Sequence, residues 1–172
     1  MKIVMIFDQI QSGMGTKDDA MLALSGKKTA IGPAVMMEKD LAEVDGKIQA
    51  CLYCGSTYYR KNQHEVTHKI CAMIHKLHPD VVICGPAYDD SDYAYMCATI
   101  ANELSVASIP VVAAMAQENH EVIAKYKNQF PIVRTPAKGG VGLHQSLHNI
   151  CIIAKQLADG EMDEELRNKV CF

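Results

Sequence analysis

The chain has 172 residues, enough for one domain with a buried core. Hydrophobic residues make up 49% and charged ones 22%, which excludes a disordered or fibrous protein. A net charge of −3, with no basic block or stripe, argues against nucleic acid as the main partner.

The N-terminal run MKIVMIFDQ is too short for a secretory h-region, and no apolar run approaches the length of a membrane span. A cytoplasmic protein without membrane attachment is therefore expected. Residues 2–7 read as the first strand, and residues 9–16, QIQSGMGT, as a glycine-punctuated loop. Residues 17–24 suggest a short helix, helped by Asp18 and Asp19 near its start. Residues 27–46 contain Gly32-Pro33 and only a weak helical pattern, and residues 47–54 form the second strand. Residues 62–77 predict an amphipathic helix with Val66, Ile70, Met73, Ile74 and Leu77 on one face, ended by Pro79.

Residues 81–84 are apolar and mostly β-branched, the pattern of a buried parallel strand, which stops at Gly85-Pro86. A polar loop, Tyr88 to Asp92, then feeds a helix over 92–104. A fourth strand at 109–114, a short helix at 119–125 and a fifth strand at 132–134 follow. Lys138-Gly139-Gly140 turns the chain into a helix over 143–158, and a charged, loosely helical tail begins near residue 159. Alternating strands and helices predict a single α/β domain over 1–172. It has three layers, with a mainly parallel sheet of about five strands and helices on both faces.

Ligands of open α/β sheets bind beyond the carboxyl ends of the strands. Those ends carry Gln9, Ser12 and Gly13; Cys54, Gly55 and Ser56; Gly85, Pro86 and Tyr88; and Gln117, Glu118 and Asn119. Such residues suit a ligand site and are equally common in any soluble α/β protein. Glu118 and Asn119 fit an acid/base or anchoring role, or a helix cap. Gly13-Met14-Gly15 lacks the third glycine of a dinucleotide fingerprint. Lys138-Gly139-Gly140 either offers backbone N–H groups to an anion or is a plain turn.

Seven cysteines without a signal peptide are expected to stay reduced, most of them as small core residues. Cys51 and Cys54 form a Cys-x-x-Cys, yet strand alternation puts them on opposite faces, unlike a redox dithiol. Cys54 alone, at a strand end, is either a site thiol or a buried small residue. His64 and His68, and His144 and His148, are spaced i, i+4, but neither pair has an evident third ligand. No metal is expected.

Five blocks, in order, resemble the selenoprotein B component of the glycine, sarcosine, betaine and D-proline reductases of amino-acid-fermenting anaerobes. They are Asp8-Gln9 with Gly13-Met14-Gly15; Gly32-Pro33; Cys54-Gly55-Ser56-Thr57-Tyr58; Cys84-Gly85-Pro86-Ala87-Tyr88 with Tyr93 and Cys97; and Glu118-Asn119 with Thr135, Gly139 and Gly140 beyond. The chain departs from the family pattern at Asp8 and Asp89, where the family has Asn, and at His120, where it has Pro. The resemblance implies a component that cleaves a C–N bond reductively, with a selenocysteine nucleophile and a pyruvoyl group on a partner subunit. Neither group is expected in this chain.

The residues carried over as lining a substrate are Gln9, Gly13, Gly15, Gly55, Gly85, Pro86, Tyr88 and Asn119. Cys54, Cys97 and Glu118 are the candidate catalytic groups, a thiolate standing in for selenium. The expected partners are a small amino-acid-like substrate, other subunits of a reductase complex and a second copy of the chain. The alternative is a non-catalytic ligand-binding or assembly domain derived from the same family. A third reading is a product cut short where a selenocysteine codon is taken as a stop.

Overall fold

In the computed structural model, which describes residues 1–172, six strands form one sheet. They are β1 (Lys2–Phe7), β2 (Ser25–Lys27), β3 (Lys47–Tyr53), β4 (Val81–Ala87), β5 (Val111–Ala116) and β6 (Ile132–Thr135). Seven α-helices connect and follow them: α1 (Pro33–Glu43), α2 (Ser56–Lys61), α3 (Gln63–Leu77), α4 (Ser91–Val106), α5 (His120–Tyr126), α6 (Leu143–Asp159) and α7 (Glu164–Val170). The strand order is β2-β3-β1-β4-β5-β6, and every pairing except β2 with β3 is parallel.

Two apolar clusters sandwich the sheet. One face packs against α2, α3, α4 and α5, through residues such as Tyr59, Ile70, Ala98 and Ile123. The other packs against α1, α6 and α7, through Met37, Leu41, Leu147, Ile150 and Val170. Burial on both faces explains why β4 and β5 are apolar at nearly every position. On α6, Leu147, Ile150, Cys151 and Ala154 recur at helical spacing and form its inner stripe. Cys51 and Cys54 fall in opposite clusters, as alternation requires. No helix is long and apolar enough to cross a membrane.

The three-layer α/β architecture stands, with several corrections. The sheet has a sixth strand, β2, whose Ser-Gly-Lys sequence carries no apolar signal; its position comes from backbone pairing of Ser25 with Tyr53 and Gly26 with Leu52. The helix expected at 17–24 shrinks to one 3-10 turn, Lys17–Asp19. The carbonyls that follow are taken by the distant start of α2 instead: Tyr58 N–H donates to Ala20 O (2.9 Å) and Gly55 N–H to Leu22 O (2.7 Å). Those bonds seat α2, a helix the apolar periodicity did not reveal.

The weak pattern at 27–46 contains α1, started by Gly32 and Pro33. β4 does not stop at Gly85-Pro86 but runs through a cis peptide to Ala87, with a register shift against β5 between Cys84 and Ala87. The tail is ordered. Asp163 caps α7, Cys171 bridges Val133, and Phe172 N–H donates to Ile132 O (3.0 Å), which covers the open edge of β6.

Tyr59 ties α2 to its neighbours. Its buried hydroxyl lies 2.8 Å from Thr67 Oγ1 on α3 and 2.7 Å from Thr99 Oγ1 on α4. Replacing Tyr59 by Phe leaves the packing and removes the partner of Thr67 Oγ1, while Thr99 Oγ1 still donates to Tyr95 O (2.8 Å). The expected loss is about 1–2 kcal/mol in urea unfolding, with an unchanged m-value.

Candidate functional site

The carboxyl ends of β1, β3, β4 and β5 meet on one side of the sheet, where their loops are laced together. After β1, Gln11 N–H donates to Asp8 Oδ1 (2.6 Å), and Ser12 Oγ and Gly15 N–H donate to Gln9 O (3.1 and 2.9 Å). The Gln9 side chain crosses to the next loop, its Oε1 accepting from Ser56 N–H (3.1 Å) at the start of α2. Asn119 does the same between β4 and β5, its Nδ2 donating to Ala87 O and Ala116 O (3.3 Å each) and to Tyr88 O. Tyr93, the third residue of α4, donates its hydroxyl to Ile6 O (3.0 Å), while Asp90 caps that helix by accepting from Tyr93 N–H.

Beside these loops opens a cavity of about 400 Å³. Gln11 follows β1, Tyr88 follows β4, and Pro136 to Gly140 follow β6. The opposite wall is Gly32, Pro33 and Met36 from the start of α1 and Leu143 from the start of α6. Both helices begin at glycine N-caps, Gly32 and Gly142, with no capping side chain. Unbonded N–H groups at the start of α6, the two helix dipoles and Lys138 give this wall positive character suited to a carboxylate, whereas Ala34 and Val35 N–H at the start of α1 already donate to Ile31 O and Gly32 O. A larger groove of about 710 Å³ runs between α3, α4 and α5 past His64, His68 and Cys71, but no strand end reaches it.

Of the residues expected to line a substrate, Tyr88 borders the cavity, half-buried, and its phenol is pushed upward by burial. Gln9 and Asn119 are buried and hold loops in place. Gly55 and Gly85 approach the chain's own backbone: a Cβ at Gly55 would sit 2.1 Å from Ala20 O, and one at Gly85 2.5 Å from Ala114 O, with φ at +122°. Pro86 is buried within β4, Gly13 is exposed at φ +71° with open space around it, and Gly15 packs near Asp19. Glu118 is exposed. The cavity residues not singled out, Gln11, Pro33, Met36 and Leu143, lie in loops and first turns. The turns at Gly32-Pro33 and Lys138-Gly139-Gly140 were their only signal in the sequence.

Burial dominates the chemistry of the strand ends. Cys54 is 1% exposed, and burial pushes its thiol up to about 12, helped by the Asp8 charge. Cys97 is fully buried, and its thiol is raised well above the usual range, by burial first and then by Cys84. None of the seven cysteines lines the cavity: six are buried, and Cys71 faces the α3–α4–α5 groove. A selenocysteine at any of these positions would have no access to a ligand held there. Asp8, 1% exposed, is pushed up to about 6 by burial, with a further rise from Asp90 and an opposing effect from the Gln11 N–H bond.

The strand order and the crevice define an open-sheet α/β protein with its cleft at the carboxyl edge. The glycine/sarcosine/betaine reductase selenoprotein B family matches residues 1–169, and the chain belongs to that family. Glycine reductase complex component B subunit gamma of Symbiobacterium thermophilum is 27% identical over 165 residues, covering 95% of this chain and 38% of that protein. Sarcosine reductase complex component B subunit beta of Peptoclostridium acidaminophilum is 26% identical over 163 residues, covering 94% and 37%. The chain thus spans little more than a third of the length of these relatives. No solved structure gives a significant match.

The raised Asp8 pKa sets a sign for stability. The folded state binds the proton more tightly than the unfolded chain, so this contribution is complete below about pH 4. It is lost as pH rises through about 6. Asp8→Asn keeps the acceptor for Gln11 N–H and removes the buried charge. The variant is expected to be more stable than the wild type at pH 7, by up to about 3 kcal/mol. The difference should vanish by pH 4 in paired urea unfolding curves.

Proposed function

We propose that the chain serves reductive C–N cleavage of a small amino acid or amine as the part of a reductase component that holds the substrate. Partner subunits supply the reducing chemistry. Family membership supports this reaction class. The observation that carries the division of labour is a contrast in access: the open cavity is lined by Gln11, Tyr88 and Lys138, while Cys54 and Cys97 are buried in the cluster on the other face of the sheet from α1 and α6. A thiol held far above neutral pH and out of contact with solvent is a poor nucleophile. In this reading Lys138 and the start of α6 receive the substrate carboxylate, and the Tyr88 hydroxyl bonds a second polar group. Cys54 and Cys97 act as core residues, and Glu118 remains available on the rim to a partner.

The same end of the molecule supports docking to other subunits. Of the exposed large apolar side chains, Met36 lines the cavity, and Ile10, Val35 and Val141 are chain neighbours of the lining residues Gln11, Met36 and Gly140. Apolar side chains gathered around a polar opening are typical of a face that meets another protein. A partner seated there would close the cavity and exclude water from the reacting centre.

Two measurements on the native chain test this. Iodoacetamide labelling read by mass spectrometry is expected to modify Cys71 first and to reach Cys54 and Cys97 only in urea. Calorimetric titration with glycine, sarcosine and betaine is expected to show binding of at least one. Lys138→Ala should weaken it by about tenfold, the loss of one charge-assisted contact. Rapid labelling of Cys54 near neutral pH, blocked by substrate, would return catalysis to the thiol. No binding of any of the three would leave an assembly role.

A further inference from the structure

Helices α1 and α6 pack side by side on the sheet, and a carboxylate is buried between them. The Asp40 side chain is 6% exposed. A charge at that depth requires a cation or several hydrogen bonds. The protein supplies one such contact, and the second oxygen stays open to solvent. Its Oδ1 lies 3.3 Å from His148 Nδ1 on α6, long for a hydrogen bond, and its Oδ2 accepts none. No lysine or arginine pairs with it.

Glu43 follows Asp40 by three residues and so shares its helix face. Donor atoms of Asp40, Glu43 and His148 all lie within 4.8 Å of one another. Cys151, one turn beyond His148, registers the local negative charge: its thiol is pushed up to about 12, by burial first and then by Asp40 and Glu43. One imidazole nitrogen with two carboxylate oxygens is a ligand set that suits zinc and neighbouring divalent metals. Donors bound at about 2.0–2.1 Å to a tetrahedral ion stand about 3.3 Å apart. The Asp40–His148 separation already has that value.

We propose that Asp40, Glu43 and His148 form a binding site for a divalent transition metal that braces α1 against α6. The remaining coordination positions face outward, beside exposed Glu43, and are open to water. At about 1.5 Å per residue, Asp40 lies about 10 Å along α1 from Pro33 at the cavity wall. The ion would therefore fix the two helix starts that frame the cavity without touching a ligand in it. His144, the residue paired with His148 by sequence spacing, is not part of the cluster; the other donors come from α1.

The test uses untagged protein freed of metal by chelation, titrated with Co²⁺ and followed by its visible absorption. One Co²⁺ per chain is expected, displaced by Zn²⁺, with a rise in Tm when Zn²⁺ is added. Glu43→Gln and His148→Gln should each weaken Co²⁺ binding by about tenfold or more. His144→Gln, exposed one turn earlier on α6, should leave it unchanged. Glu43 is exposed, so its replacement removes a donor without disturbing the helix contact, which keeps the test valid even if Asp40→Asn does not fold. Failure of the wild type to bind Co²⁺ overturns the proposal. So does binding that survives both Glu43→Gln and His148→Gln, or that is lost instead in His64→Gln.

Discussion

Burial of β1 on both faces is the constraint on which the rest of the structure depends. From Ile3 to Phe7 the strand has no exposed side chain, with β3 on one edge and β4 on the other. Alternate residues feed the two apolar clusters, so helices must cover both faces. The strand's polar continuation, Asp8 to Ser12, is then trapped at the centre of the carboxyl edge. There its backbone and side chains must find partners within the neighbouring loops. Gln9 reaching Ser56 and Tyr93 reaching Ile6 O are the consequences.

That confinement sets the chemistry of the edge. Asp8, Cys54, Tyr93 and Cys97 are all shifted toward their neutral forms, and in each the dominant cause is loss of solvent. At neutral pH the thiols and Tyr93 are therefore uncharged, while Asp8 still carries a buried charge. Polar recognition moves outward, to Gln11, Tyr88, Lys138 and the uncapped start of α6. A positively biased wall suits a small zwitterion or carboxylate. Exposed Met36 on that wall suits contact with a subunit that completes the site.

The division between what was legible in the residues and what was not follows the range of the interactions. The strands that became β1, β3, β4 and β5 announce themselves by local apolar runs, and α3, α4 and α6 by periodicity. β2 and α2 do not, because they are placed by backbone hydrogen bonds to distant residues: Ser25 to Lys27 along β3, and Gly55 and Tyr58 to Leu22 and Ala20. The glycines at 55 and 85 read as room for a ligand. Their neighbours are Ala20 O and Ala114 O, which no local pattern discloses. Cys54 and Cys97 look alike in sequence whether exposed or buried.

By itself the sequence determined the layered α/β class, the side of the sheet where polar loops gather and, through five ordered blocks, the family. These rest on local patterning and on motifs, which are written in consecutive residues. Only the tertiary structure decided that the thiols are sealed, that the open cavity lies between β6 and the starts of α1 and α6, and that Asp40 meets His148 across two helices. Each of those depends on how much water reaches a side chain, or on residues far apart in the chain meeting at a few ångströms. Solvation and long-range contact are properties of the packed chain, not of any segment of it.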